Sequence, residues 1–298
     1  MDWKGVKGTI MTDIPMKRYT SMKVGGSARF LVYPSDEEDL ITILNRLNSE
    51  GIKSRFMGNG TNIIVHDKGL DEALIRTTEM KHMRYLKAGD GVMAEVSGGL
   101  SLTQFIQENT KRGLSGLEKL FGIPGTVGGA VKMNAGSFGS VVSDTLKEVR
   151  LVDRTDVKES TADTGDGFGY RNSPIKSSQC VLGARFFLTA KDRAEIIKDM
   201  DYVYEERRRK HPMEYPSSGS VFKSVEGEPA WKFIEQAGLK GVRAGDAQVS
   251  EKHANFIINL GNATAADIKT LIDKVKIEVY EKQGVSLEEE VELWGFDG

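Results

Sequence analysis

The sequence predicts an α+β protein of two domains, and three observations carry this. Short runs of β-branched and apolar residues alternate with helices whose starts carry capping-box patterns. A β–α–β–turn–β run fills the stretch from residue 28 to residue 65. After Pro216 the character changes, and two β–α units fit into about 80 residues, enough for a separate small α+β domain.

In order, residues 1–27 read as irregular and end in Thr20-Ser21-Met22-Lys23-Val24-Gly25-Gly26-Ser27. Residues 28–33 read as a strand. Ser35 with Glu38 gives an S-x-x-E capping box, and the helix behind it places Leu40, Ile43, Leu44 and Leu47 on one face before stopping at Gly51. Residues 55–57 form a short strand, Gly58-Asn59-Gly60-Thr61-Asn62 a glycine turn, and residues 63–65 a strand. Short strands follow at 73–76, 83–86 and 92–96. Ser101 with Gln104 caps a helix carrying Leu102, Phe105 and Ile106, which ends at Gly113.

Strands resume at 148–153 and 180–188. Between them, residues 163–169 are polar and mobile in character, and Tyr170-Arg171-Asn172-Ser173-Pro174 follows. Residues 191–210 form a long helix striped by Ile196, Ile197, Met200, Val203 and Tyr204. Its basic end, Arg207-Arg208-Arg209-Lys210, suits the negative end of a helix dipole; a phosphate contact is the sharper alternative. The domain boundary falls near residues 209–216. Beyond it come a strand at 220–223, a helix at 229–238 with Pro229 at or near its first turn, and a strand at 255–260. Thr264 and Asp267 cap a helix carrying Ile268, Leu271, Ile272, Val275 and Val279, which stops at Gly284. A closing strand over 286–293 would set Glu288, Glu290 and Glu292 on one face.

The 298 residues are 39% hydrophobic and 28% charged, an ordinary soluble balance. A net charge of −2 gives no global field to recruit nucleic acid or an anionic membrane. The single cysteine, Cys180, excludes an intrachain disulfide. The start lacks the apolar segment of a signal peptide, and no apolar run approaches the ~20 residues that span a bilayer. The expectation is a cytoplasmic globular protein, taken as a monomer, with no nucleic-acid or membrane partner.

One stretch organises the chain: Leu120-Phe121-Gly122-Ile123-Pro124-Gly125-Thr126-Val127-Gly128-Gly129-Ala130-Val131-Lys132-Met133-Asn134-Ala135-Gly136. Glycines at this density permit positive φ and close approach to the main chain. Successive bare amides form a nest for anions, so a dinucleotide is the natural guest; a tight buried connector is the alternative. Pro124 and the glycine order break the G-x-G-x-x-G fingerprint, and no P-loop occurs. A dinucleotide here needs a different fold.

Metal and hydrolase chemistry find no support. His66, His82, His211 and His253 are scattered, with no zinc-type spacing, and no G-x-S-x-G elbow exists. Three polar islands remain: Tyr170-Arg171-Asn172-Ser173, Pro216-Ser217-Ser218-Gly219-Ser220-Val221-Phe222-Lys223, and Glu290 within residues 287–295. Taken singly, each reads as a surface ion pair, a capped turn or a solvated strand face.

Taken with the glycine loops, these islands resemble the UDP-N-acetylenolpyruvoylglucosamine reductase family, also called UDP-N-acetylmuramate dehydrogenase. The matching stretches are 20–26, 58–65, 122–136, 170–173, 216–223, 247–255 and 290–295, in family order and across nearly the whole chain. The resemblance implies an FAD-binding domain of the PCMH or vanillyl-alcohol-oxidase type over residues 1–210, with subdomains at about 1–70 and 71–210. A smaller α+β substrate-binding domain follows at 211–298. It implies that Gly58, Asn59, Gly60, Thr61 and Asn62, with Gly122, Ile123, Pro124, Gly125, Thr126, Gly128 and Gly129, wrap the FAD pyrophosphate and ribityl chain. Asn134, Ala135 and Gly136 would lie near the isoalloxazine. Neither glycine loop holds His or Cys, so the FAD is expected to be noncovalent, with His66 the one nearby exception.

In the family, NADPH reduces the FAD and hydride then passes to C3 of an enolpyruvyl ether on a UDP-sugar, while charge builds at C2 and its carboxylate. The resemblance gives Arg171 the carboxylate, Ser220 the proton for C2, and Glu290, if protonated, a hydrogen bond to the developing dianion. Tyr170 and Lys223 become substrate contacts. A strand and a helix fill the stretch 177–216, so the chain resembles the family kind that lacks an extra tyrosine-bearing loop. Glu292 stands where the family often has arginine, which puts that arginine's role in doubt here. A flavin oxidase of a sugar or alcohol, and a redox-inactive nucleotide-sugar-binding module, stay open as alternatives.

Overall fold

The computed structural model describes residues 2–163 and 167–296. The sequence reading of 163–169 as mobile falls in part on 164–166, which lie outside the described residues. In chain order the elements are β1 (Thr9–Pro15), β2 (Ser27–Tyr33), α1 (Glu37–Ser49), β3 (Ser54–Met57), β4 (Ile63–Val65), β5 (Leu70–Arg76), β6 (Met83–Ala88), β7 (Gly91–Ser97), α2 (Leu102–Lys111), β8 (Leu114–Ser115) and α3 (Val127–Lys132). They continue with β9 (Gly136–Ser137), β10 (Ser140–Val141), β11 (Leu146–Asp153), β12 (Glu159–Asp163), β13 (Gln179–Ala190), α4 (Arg193–Lys210), β14 (Ser217–Ser220) and α5 (Ala230–Gln236). β15 (Arg243–Ala244), β16 (Ala247–Val249), β17 (Phe256–Asn259), α6 (Ala265–Gln283) and β18 (Glu292–Trp294) close the chain.

The chain forms two compact units. The first comprises Met1–Thr12, Phe30–Asn59 and Glu72–Glu206. Its larger sheet is ordered β12-β11-β13-β7-β6, with β8 added on β13. It also takes the greater part of a sheet ordered β1-β2-β5-β3, in which β3 and β5 run parallel. β13 serves two cores. Cys180 and Leu182 pack with α1 residues Leu40, Ile43, Leu44 and Leu47, whereas Ala184, Phe186 and Leu188 pack with Phe105, Val127 and Val131. An extra residue in β13 opposite the Arg150–Leu151 step explains this, since one inserted residue switches which side chains face which side.

The second unit comprises Asp13–Arg29, Gly60–Asp71 and Arg207–Gly298. Its sheet is ordered β14-β17-β16-β15, and β18 pairs parallel with β4. α6 buries Ile268, Leu271, Ile272, Val275 and Val279 against Val221, Phe222 and Ile257. The Thr264–Asp267 capping box is present, and the Asp67 carboxylate accepts from the amides of Ala265 and Ala266, both at 2.9 Å. That carboxylate satisfies two amides that a helix start leaves bare.

Several elements differ from the sequence reading. β1 lies where residues 1–27 read as irregular, and β12 was not read at all. The α1 cap is Asp36, which accepts from the Asp39 amide at 2.8 Å, one place beyond Ser35. The Asp36 carboxylate, on extended backbone at φ −155°, takes the cap in place of the Ser35 hydroxyl. The closing strand shrinks to three residues, so the shared face drawn for Glu288, Glu290 and Glu292 does not exist as a strand face. Residues 13–29 and 60–71, read with the first domain, group with the C-terminal unit. The β4–β18 pairing ties the second segment, and the Asn259 carboxamide, donating to the Met22 carbonyl at 3.0 Å, ties the first; both are contacts across more than two hundred residues that no local pattern announces.

Candidate active site

In the first unit the two glycine stretches converge. A Cβ on Gly58 would lie 2.6 Å from Thr126 Oγ1. Thr126 is buried and its hydroxyl accepts from the Gly129 amide at 3.2 Å, capping α3. The Gly58 end of its turn is braced by Arg76, which the sequence reading missed. Arg76 Nε donates to the Gly58 carbonyl at 3.0 Å, Nη2 to Asn59 Oδ1 at 3.3 Å and Nη1 to the Tyr33 hydroxyl at 3.0 Å. An arginine closing a strand beside a glycine turn gave no local signal; only the pairing of β3 with β5 brings it there.

The stretch into the second loop is set by Glu118, which is buried. Burial alone would raise its pKa, but the Ser115 hydroxyl at 2.6 Å, the Gly116 amide at 2.7 Å and the Lys191 charge hold its carboxyl below the usual range. Gly122 and Gly125 then adopt φ +83° and +136°, backbone that favours glycine. Gly128 is a packing glycine, since a Cβ there would sit 3.0 Å from the Gly98 carbonyl oxygen.

The expected nest is only partly bare. The amides of Ile123, Val127 and Gly128 donate to the carbonyls of Leu120, Leu100 and Gly98, and Gly129 donates to Thr126. The stitching of this loop to residues 98–102 uses those groups. Among the described residues, no hydrogen bond uses the amides of Gly58, Asn59, Gly60, Gly125 or Thr126. The donors of Gly58, Asn59, Gly125 and Thr126, on two loops of the first unit that touch through Gly58 and Thr126, fit a pyrophosphate-bearing dinucleotide.

α3, which low glycine propensity hid from the sequence reading, leads into Asn134 at φ +41°. The Asn134 carboxamide is 2% exposed and spends both ends inside the protein. Nδ2 donates to the Gly169 carbonyl at 2.9 Å, and Oδ1 accepts from the Ser143 amide at 3.0 Å. Gly169 and Asn172 exchange backbone hydrogen bonds, so Tyr170 and Arg171 form the corner of a tight turn, with Arg171 at φ +49°. Ser173 Oγ, at the foot of that turn, donates to the Lys132 carbonyl at 2.6 Å. Arg171 Nη2 donates to the Gly136 carbonyl at 3.0 Å, and its guanidinium lies 5.4 Å from the Tyr170 ring centre. The structure thus brings Arg171 to the Asn134-Ala135-Gly136 segment.

In the second unit, Ser220 ends β14 and pairs with Phe256, half-buried behind Gly219 at φ +77°. The next carbonyl, that of Val221, accepts from the Glu290 amide at 2.7 Å. Glu290 is tied in turn to the first glycine turn. Asn62 Nδ2 donates to the Glu290 carbonyl at 2.9 Å, and the Asn62 carbonyl accepts from the Glu292 amide at 2.9 Å. Gly60 and Thr61 are held by Ser21, through amide and hydroxyl respectively. Lys223 is ion-paired with Glu288. So Gly60, Thr61, Asn62, Ser220, Lys223 and Glu290 gather in the second unit, while Tyr170 and Arg171 belong to the first. β13 and α4 fill the stretch 177–216, leaving no inserted loop there.

Residues 28–157 match the FAD binding domain family, and residues 211–294 match the family described as UDP-N-acetylenolpyruvoylglucosamine reductase, C-terminal domain. The chain is 41% identical over 294 residues to the UDP-N-acetylenolpyruvoylglucosamine reductase of Carboxydothermus hydrogenoformans, covering 98% of this chain and 96% of that protein. It is 41% identical over 290 residues to that of Geobacter metallireducens, covering 97% and 95%. The crystal structure of a UDP-N-acetylenolpyruvylglucosamine reductase from Thermus caldophilus superposes with a TM-score of 0.79 at 34% identity, covering 97% of this chain and 99% of that one. The chain therefore belongs to the UDP-N-acetylenolpyruvoylglucosamine reductase family of FAD-dependent oxidoreductases.

Proposed function

We infer that this protein reduces the enolpyruvyl ether of UDP-N-acetylglucosamine-enolpyruvate to UDP-N-acetylmuramate, a precursor of bacterial peptidoglycan, with FAD as cofactor and NADPH as reductant. One observation carries the reading beyond family membership. Arg171, a guanidinium fixed in direction by the Gly136 carbonyl, stands on a turn pinned to the segment that follows the second glycine loop.

Bound FAD would supply the hydride for C3 of the enol ether, with NADPH as its source. The residues of the chain do the rest. The Gly58–Asn62 turn and the loop at 122–129 would hold the pyrophosphate and ribityl chain, with the bare amides of Gly58, Asn59, Gly125 and Thr126 as donors. Arg171 binds the substrate carboxylate; as charge grows there, its preorganised donors gain strength without reorienting. Ser220 Oγ–H gives its proton to C2 and recovers one from solvent, so hydride and proton complete the reduction of one C=C bond. Glu290, where it carries a proton, hydrogen-bonds the enolate. Tyr170 and Lys223 bind the rest of the substrate. The protein acts as a monomer in the cytoplasm on this reading.

Anaerobic titration tests it. NADPH should bleach the yellow band, and the enolpyruvyl substrate should restore it faster than O₂ does, with UDP-N-acetylmuramate identified by mass. Preferential reoxidation by O₂ would point instead to an oxidase. Failure of added FAD to give any flavin band would end the redox reading.

A further inference from the structure

We propose that Asn255 is a positioning residue for the proton donor: its carboxamide locks the strand end that carries Ser220. This rests on the reading of Ser220 as the acid.

Asn255 is 6% exposed and makes three hydrogen bonds to two consecutive residues. Its backbone carbonyl accepts from the Val221 amide at 2.8 Å. Its Oδ1 accepts from the Phe222 amide at 3.0 Å, and its Nδ2 donates to the Phe222 carbonyl at 2.8 Å. One side chain therefore does what a neighbouring strand residue does in a ladder, serving the donor and the acceptor of a single residue together.

The support falls where the ladder fails. β14 meets β17 in register only at Ser217↔Ile258 and Ser220↔Phe256, with an irregularity between them. Past Ser220 no regular pairing with β17 continues. On the other side, Val221 accepts from Glu290, Phe222 bridges Glu289, and Lys223 donates to the Glu288 carbonyl at 2.9 Å. Residues 221–223 thus lie between Asn255 and the 288–290 segment. Asn255 fixes one side of that strand and with it the offset of Ser220 from Glu290. A serine is a weak acid, so its value depends on placement, and a displacement of about 1 Å can cost 10²-fold.

The test uses the FAD-loaded, pre-reduced enzyme in stopped flow with the enolpyruvyl substrate. Asn255→Leu keeps the branched outline, with somewhat more bulk, and removes both polar ends. Asn255→Asp keeps the acceptor for the Phe222 amide but sets an acceptor against its carbonyl, which guards against a folding failure of the first. Each should slow reoxidation by roughly 10- to 100-fold while reduction by NADPH stays within about twofold. Amide exchange should rise at residues 221–223 without a general rise elsewhere. The deciding readout is the double variant. If Asn255 acts through Ser220, adding Asn255→Leu to Ser220→Ala should slow reoxidation little further. A full additional loss in that background, or unchanged reoxidation in both single variants, overturns the positioning role alone. Unchanged reoxidation in Ser220→Ala overturns the acid assignment and this role with it.

Discussion

Arg171 Nη2 donates to the Gly136 carbonyl at 3.0 Å, and a Cβ on Gly136 would come within 3.2 Å of Arg171 Nη1. A side chain at 136 would crowd the guanidinium, which would have to give by a few tenths of an ångström. Gly136→Ala should therefore move the arginine; the same methyl would meet Val141 Cγ1 at 2.6 Å, at a cost of about 1–3 kcal/mol in stability. The expected signature is a raised substrate KM and slower reoxidation in a protein that still bleaches with NADPH. Retention of wild-type reoxidation would show that the contact is incidental.

Arg171→Lys separates charge from shape. It keeps the cation but loses the planar fork that a carboxylate matches with two bonds. Lysine also cannot reproduce the directed bond to Gly136. Reduction by NADPH should change little and reoxidation by the enol ether should fall by roughly 10- to 100-fold, the worth of one strong charged contact. An equal loss in both half-reactions would mark the residue as structural.

Gly58→Ala tests the meeting of the two loops. The added Cβ would sit 2.6 Å from a buried Thr126 hydroxyl that cannot turn away without uncapping α3. The loops must part, so flavin content per chain should fall and the FAD dissociation constant should rise by at least about tenfold, the effect of 1.4 kcal/mol. Full flavin retention in a folded Gly58→Ala protein would remove this pair from the cofactor site.

How far the sequence revealed these features follows from the range of the interactions. α2 and α6, with caps at Ser101 and Thr264, were legible because capping and apolar spacing act within one or two turns. Arg171, Ser220 and Glu290 stood out only as members of one family pattern. Arg76, Asn134 and Asn255 act through backbone partners 18, 35 and 33 positions away, and nothing local marks such bonds. The bare-nest expectation for residues 122–129 met the same limit, because the carbonyls of Gly98 and Leu100 that take up its amides come from another turn.

Cys180 is 7% exposed within β13, and burial pushes its thiol up to about 12. The reactive thiolate is therefore scarce at neutral pH. A disulfide reagent should leave the native protein unlabelled over minutes and react with one thiol per chain after denaturation. Prompt stoichiometric labelling of the native protein would contradict the packing of β13 against α1.

His211 gives the pH prediction. Burial, then the neighbouring His253 and the charges of Arg207, Lys210 and Lys252, lower its pKa from 6.5 to about 4. Its ring lies 4.9 Å from the Phe256 ring and 5.3 Å from that of His253, whose own pKa is lowered chiefly by burial. Above pH 6.5 the imidazole is neutral in both folded and unfolded chains, and its contribution is whole. As pH falls towards 4 the unfolded chain takes up the proton and the folded one does not, so stability is lost. The full displacement would carry about 3 kcal/mol, and partial exposure cuts this to about 1–2 kcal/mol. Phenylalanine suits a position set between two aromatic rings and does not titrate. His211→Phe should therefore lose less stability than wild type between pH 7 and pH 5 in urea unfolding, with equal slopes against denaturant. The same loss in both proteins would show that His211 takes its proton as readily folded as unfolded.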